Sequence, residues 1–158
     1  MKKNNKKGFT LVELLAVIVI LAVVVLIAMT AVVPQMNKAR VESFITEANK
    51  FVQGATNYYT DSQLSGTGMA SNGGCVLIQT LIDNGYIDKK DENNAYQGYV
   101  TVDATTSPVS YTISISNGSF FTGTSSTAAS ALTPDQLVST NIQTGTVTAS
   151  VPSGLTCN

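Results

Sequence analysis

From Leu14 to Val33 the chain is an unbroken apolar run in which only Thr30 is even weakly polar. About twenty residues at the helical rise span roughly 30 Å, the thickness of a bilayer's hydrocarbon core. A chain with such a run passes through a membrane at some stage. Glu13 stands directly at the start of the run. A carboxylate at the end of a lipid-embedded helix is costly and as a rule functional, so Glu13 requires a partner. A secretory signal peptide also has a basic start, but its apolar core is only about 7–15 residues and no acid interrupts it. An ordinary single-pass anchor accounts for the length, yet gives no reason for Glu13 or for Gly8-Phe9 immediately after Lys6-Lys7.

Charge sets the orientation. Lys2, Lys3, Lys6 and Lys7 supply four of the nine basic residues, and the excess of positive charge before the apolar run places the start of the chain in the cytoplasm and the C-terminal portion outside. The segment after the run has room for one small globular domain.

The segment Gly8-Phe9-Thr10-Leu11-Val12-Glu13, with its basic leader and the aliphatic run behind it, resembles the processing and assembly motif of type IV pilins and their pseudopilin relatives. The resemblance covers roughly the first thirty to forty residues. It implies that a prepilin peptidase cuts after Gly8, that Phe9 becomes the N-methylated first residue, and that Glu13 is the assembly glutamate. It further implies a homo-oligomeric helical filament, with the inner or plasma membrane, an assembly platform and minor pilins as partners. Many type IV pilins carry a helix-breaking glycine and proline early in the mature chain. This chain has no glycine between Phe9 and Gly54, and its proline, Pro34, falls slightly later. Elementary physics is consistent with the resemblance. Cutting before Phe9 creates an amine at the start of a helix; Glu13 lies one turn on, where the helix dipole also favours a carboxylate. In a growing filament one subunit's Glu13 would meet the amine of the subunit added before it.

Removing the leader leaves five basic side chains (9 − 4) against ten acidic ones, a net charge near −5. Direct nucleic-acid binding, which needs clustered Lys and Arg, is not expected. Cys75 and Cys157 lie in the portion read as external, where oxidation prevails. Their spacing is far too wide for a CxxC motif, and no histidine completes a metal site. A structural disulfide is the expected state, with two free thiols as the alternative. Closing that loop would contribute about 4–5 kcal/mol in the chain-entropy model.

The expected fold is α+β: a long N-terminal helical spine, its first half transmembrane, against a small antiparallel sheet. The segments read as 1–8 leader, 9–33 transmembrane and filament-core helix, 34–60 amphipathic helix, and 61–158 globular head. A kink is expected at Pro34. Beyond it Val41, Phe44, Ile45, Ala48, Phe51, Val52, Ala55, Tyr58 and Tyr59 recur at three- and four-residue steps, while Arg40, Glu42, Glu47, Asn49 and Lys50 occupy the other face. A helix from Phe9 to near Thr60 is roughly 75 Å long, about twice what a domain of this size needs for its own core. The excess must be buried in lipid or against copies of itself.

Residues 61–74, rich in Ser, Gly and Asn, read as a surface loop, and 76–82 as a short helix stopped by Asn84-Gly85. Residues 88–94 read as a charged connection that lacks the spacing of a calcium loop. Tyr99 to Val102 is an expected strand. Residues 109–116 alternate large apolar with small polar, as a sheet with one buried face does. Asn117-Gly118 signals a hairpin. Residues 124–131 read as a loop, 133–138 as a short capped helix, and 144–151 as a last strand. The many Ser and Thr residues read as a solvated β surface rather than as glycosylation sites.

No catalytic constellation emerges: there is no histidine base and no phosphate-binding loop, and the acids are scattered. Asp91 and Glu92 are the sole neighbouring acids that could act together, and on a charged loop they read as solvated. Neither an enzyme nor a cofactor is expected. The functional expectation is a structural pilus subunit. The alternatives are a pseudopilin of a type II secretion or competence DNA-uptake apparatus, or a minor pilin adhesin at a filament tip.

Overall fold

In the computed structural model, residues 8–88 and 96–158 are described. The chain divides into two compact units, one ending at Ala39 and one running from Arg40 to Asn158. The elements in order are α1 (Leu11–Ser65), β1 (Gly73–Leu77), α2 (Ile78–Asp83), β2 (Gln97–Asp103), β3 (Ser110–Ser116), β4 (Phe120–Thr122) and β5 (Ile142–Thr144). Short 3-10 turns at Pro134–Gln136 and Ser139–Asn141 precede β5.

Helix α1 is continuous through Pro34. It extends past the Thr60 end expected from sequence, because side-chain contacts stabilise its last turns. Ser62 and Ser65 donate back to the carbonyls of Tyr58 and Asp61, at 2.7 and 2.8 Å, and Gln63 reaches the carbonyl of Met69 at 3.2 Å. Tyr86 donates to the Asp61 carboxylate at 2.9 Å, and this bond raises the Tyr86 pKa. Gly54, a weak helix former, lies under Ile87: a Cβ there would stand 2.7 Å from that side chain. The helix therefore tolerates glycine at the one place where a neighbour needs the room.

The five strands form a single sheet in the order β1-β2-β3-β4-β5, each pair antiparallel, with Tyr99 opposite Leu77 and Val100 opposite Ile113. One face packs on the second half of α1. Phe44, Ala48, Phe51, Val52 and Ala55 meet Val76, Val100, Val102, Ile113 and Ile115, and Ile78 and Leu81 of α2 join them. Tyr96 packs on Phe51 with ring centroids 5.2 Å apart. The α+β arrangement is the one expected of a pilin head.

Two local readings change. The stretch 73–77 is strand β1 rather than loop and helix, and α2 begins only at Ile78. Pairing with β2 decides this, and a five-residue window does not contain it. The hairpin forms where Asn117-Gly118 signals it, with β4 returning antiparallel to β3. Gly118 takes the positive φ, the Asn117 side chain accepts from the backbone N–H groups of Ser119 and Phe120, and the turn closes with Asn117 N–H donating to the Phe120 carbonyl. Beyond Ser116 opposite Phe121, β3 and β4 separate and Leu132 pairs with Ile113 between them; the Thr122 hydroxyl accepts from the Ile115 N–H. Strand β5 is shorter than the expected 144–151 strand, and residues 145–151 follow it without a ladder.

Candidate functional site

Gly8, Phe9 and Thr10 precede α1 and have no regular structure. Phe9 is 88 % exposed, and a Cβ built on Gly8 would meet nothing within 4 Å. Among the described residues, nothing in the chain's own packing demands a glycine at residue 8.

Thr10 is the helix cap. Its hydroxyl accepts from the Glu13 N–H at 3.3 Å, while its own N–H and hydroxyl donate to Glu13 Oε2, each at 2.9 Å. This reciprocal arrangement is a capping box, and it satisfies two of the donors that a helix start leaves unpaired. The carboxylate is held by Thr10 and not by the Phe9 nitrogen, which in the uncleaved chain is an amide. Both bonds end on Oε2, which fixes the side chain against the first turn. Thr10 escaped the sequence reading, although Thr10-Leu11-Val12-Glu13 fits the S/T-x-x-E cap pattern. The following Leu14 N–H donates to the Thr10 carbonyl at 3.3 Å and begins the helical ladder.

From Leu11 to Met36 the apolar side chains are exposed. Thr30, the polar residue in the run, donates to its own helix at the Ile27 carbonyl, 2.8 Å away, so it needs no outside partner. The helix is long and apolar enough to cross a membrane, and is compatible with a single-pass anchor.

Cys75 and Cys157 lie in the second unit and are joined by a disulfide, with Cα atoms 4.4 Å apart and a sequence separation of 82. Cys75 is buried and Cys157 half-buried. The structure thus brings together Thr10 with Glu13, and Cys75 with Cys157. Among the described residues no group of three or more metal-ligating side chains converges. Asp91 and Glu92, like Lys89 and Lys90, lie outside the described residues.

Residues 3–29 match the family model for the prokaryotic N-terminal methylation motif. No curated protein and no solved structure matches the chain. The match encloses Gly8, Phe9, Thr10 and Glu13 together with most of the exposed apolar helix, and this segment is the hallmark of type IV pilins and pseudopilins.

Proposed function

We propose that the chain is the precursor of a structural subunit of an extracellular type IV pilus. A peptidase removes residues 1–8, and Phe9 becomes the N-methylated first residue. Residues 9–33 hold the subunit in the membrane and later form the filament core. Residues 34–60 carry the amphipathic continuation, and the head follows. The single observation that supports this best is the conjunction at the N-terminus: Gly8 followed by an exposed Phe9, a capped helix start carrying Glu13, and a helix whose apolar side chains stay exposed from Leu11 to Met36. A bare helix of Leu, Val and Ile is stable only in lipid or packed against its own kind.

In this reading Glu13 acts between subunits. Its Oε2 is engaged by Thr10, and Oε1 accepts from the methylammonium of the preceding subunit's Phe9, which fixes the axial register and offsets the cost of bringing that cation into an apolar bundle. A pseudopilin of a secretion or DNA-uptake apparatus, or a minor tip pilin, would carry the same N-terminus. Immunogold labelling of intact cells separates them: the pilus reading expects label along surface filaments. Label confined to the envelope or to filament tips would refute it. Processing is tested by Gly8→Arg, whose Cβ would meet nothing within 4 Å and which should leave full-length, membrane-bound precursor. Mature-sized protein from that variant would contradict the cleavage assignment.

A further inference from the structure

The sheet is covered on both faces, and the second cover is a strap. Register places Cys75, Tyr99, Ser114, Ser116 and Phe121 on the face opposite α1. All five are at most 5 % exposed. The chain that follows β5 contacts three of them, Phe121, Ser116 and Cys75. Gly145 N–H donates to the Ser119 carbonyl at 2.9 Å, and Gly145 lies so near the Phe121 ring that a Cβ there would stand 3.3 Å from it. The Ser116 hydroxyl donates to the Val147 carbonyl. Ala149 is buried and Val147 and Val151 are half-buried, while Thr146, Thr148 and Ser150 face outward. The far end is pinned at β1: Cys157 is bonded to Cys75, and the next residue exchanges backbone hydrogen bonds with Cys75 and Leu77, both at 3.0 Å.

Residues 145–157 are thus held at two ends, by the β5 ladder and, at β1, by the disulfide together with the Asn158 hydrogen bonds to Cys75, Leu77, Thr80 and Gly68, with one hydrogen bond from the sheet and a few apolar contacts between. The main core is on the other face and uses none of these residues. We propose that the Cys75–Cys157 disulfide is a redox latch for this strap. Oxidised, it keeps the outer face and the β1 edge covered; reduced, it frees residues 145–157 while the sheet stays folded on α1. A dithiol opens it in two exchanges. One reagent thiolate attacks a protein sulfur and expels the other as a thiolate, which takes up a proton. The reagent's second thiolate then attacks its own first sulfur in the mixed disulfide and expels the remaining protein thiolate, which takes up a proton, so the two cysteines gain two electrons and two protons and the reagent leaves as its cyclic disulfide. Opening uncovers Ser116 and Phe121 and leaves the Cys75 carbonyl and Leu77 N–H on an unpaired strand edge. The inference does not depend on the filament reading, since it concerns the head of a single chain.

The test is hydrogen exchange read by mass spectrometry on the full chain in detergent micelles, with and without dithiothreitol, with alkylation confirming that both thiols are free. The Leu77 and Asn158 amides, which bond across the strap's pinned end, should exchange about tenfold faster or more after reduction, whereas those of β2 and β3 should change by less than about twofold. Reoxidation should restore the original pattern. Ser116→Ala, with the disulfide intact, should leave both amides within about twofold of the parent, because the ends carry the strap. Unchanged protection of Leu77 and Asn158 after full reduction would overturn the latch. So would parallel loss of protection in β2 and β3, or a strap opened by Ser116→Ala alone.

Discussion

Glu13→Gln separates helix capping from charge. In the capping box the Glu13 carboxylate serves only as acceptor, taking the Thr10 N–H and hydroxyl on Oε2 at 2.9 Å. A glutamine carbonyl oxygen accepts the same two bonds, and glutamine is the other residue that this motif uses. The start of α1 should therefore survive, insertion into a membrane should be as good or better, and cleavage after Gly8 should persist. The negative charge is lost. If the preceding subunit's Phe9 amine is brought into an apolar bundle against that charge, removing it leaves a buried cation without its counter-ion. Breaking a buried pair in this way weakens an association on the order of a hundredfold to a thousandfold. The assay has two parts: immunoblotting of membranes for mature subunit, and quantification of sheared filaments. Mature protein should accumulate in the membrane while filament yield falls by about a hundred or more. Glu13→Ala, which loses box and charge together, should assemble no better than Glu13→Gln. Wild-type filament yield from Glu13→Gln would refute the intersubunit role, and a failure of cleavage would show that the charge, and not only the cap, is needed for processing.

Three further outcomes follow from the head. A Cβ at Gly98 (φ +137°) would lie 2.0 Å from the Ser114 carbonyl oxygen, whereas one at Gly118 (φ +79°) would meet nothing within 4 Å. In thermal melts Gly98→Ala should therefore cost about 3–5 kcal/mol and Gly118→Ala only about 1–2; equal effects would refute the steric argument. Phe51, 4 % exposed and stacked near Tyr96, should cost about 3–5 kcal/mol on truncation to alanine, read as an earlier denaturant midpoint at unchanged slope. The Asp103 carboxylate accepts from the Thr105 hydroxyl at 2.6 Å and N–H at 3.0 Å, and these bonds hold its pKa below the usual value. A depressed folded pKa contributes stability above the unfolded value and loses it as pH falls through the folded one. The melting-temperature gap between the parent and Asp103→Asn should thus be flat from about pH 5 to 8 and close below about pH 4; a gap that widens on acidification would contradict it.

The line between what was readable and what was not follows the range of the forces involved. The apolar run from Leu14 to Val33, the stripe from Val41 to Tyr59 and the alternation of residues 109–116 are local periodicities, and each marks one face of one element. They were enough for a membrane-length helix that continues onto a sheet, and Gly8, Phe9 and Glu13 were distinct because they break an otherwise simple pattern. Thr10 was equally local but was hidden by the louder signal beside it. The remaining features depended on partners far away in sequence. Gly73–Leu77 is a strand because β2 lies beside it, and Leu132 fills the gap where β3 and β4 part. Ser116 reads as solvent-facing because small polar residues alternate with isoleucine; it is buried, and its hydroxyl donates to the carbonyl of Val147, some thirty positions later. Alternation tells which residues share a face of a sheet. Only the tertiary structure decides what covers that face, because cover is supplied by chain that the pattern does not contain.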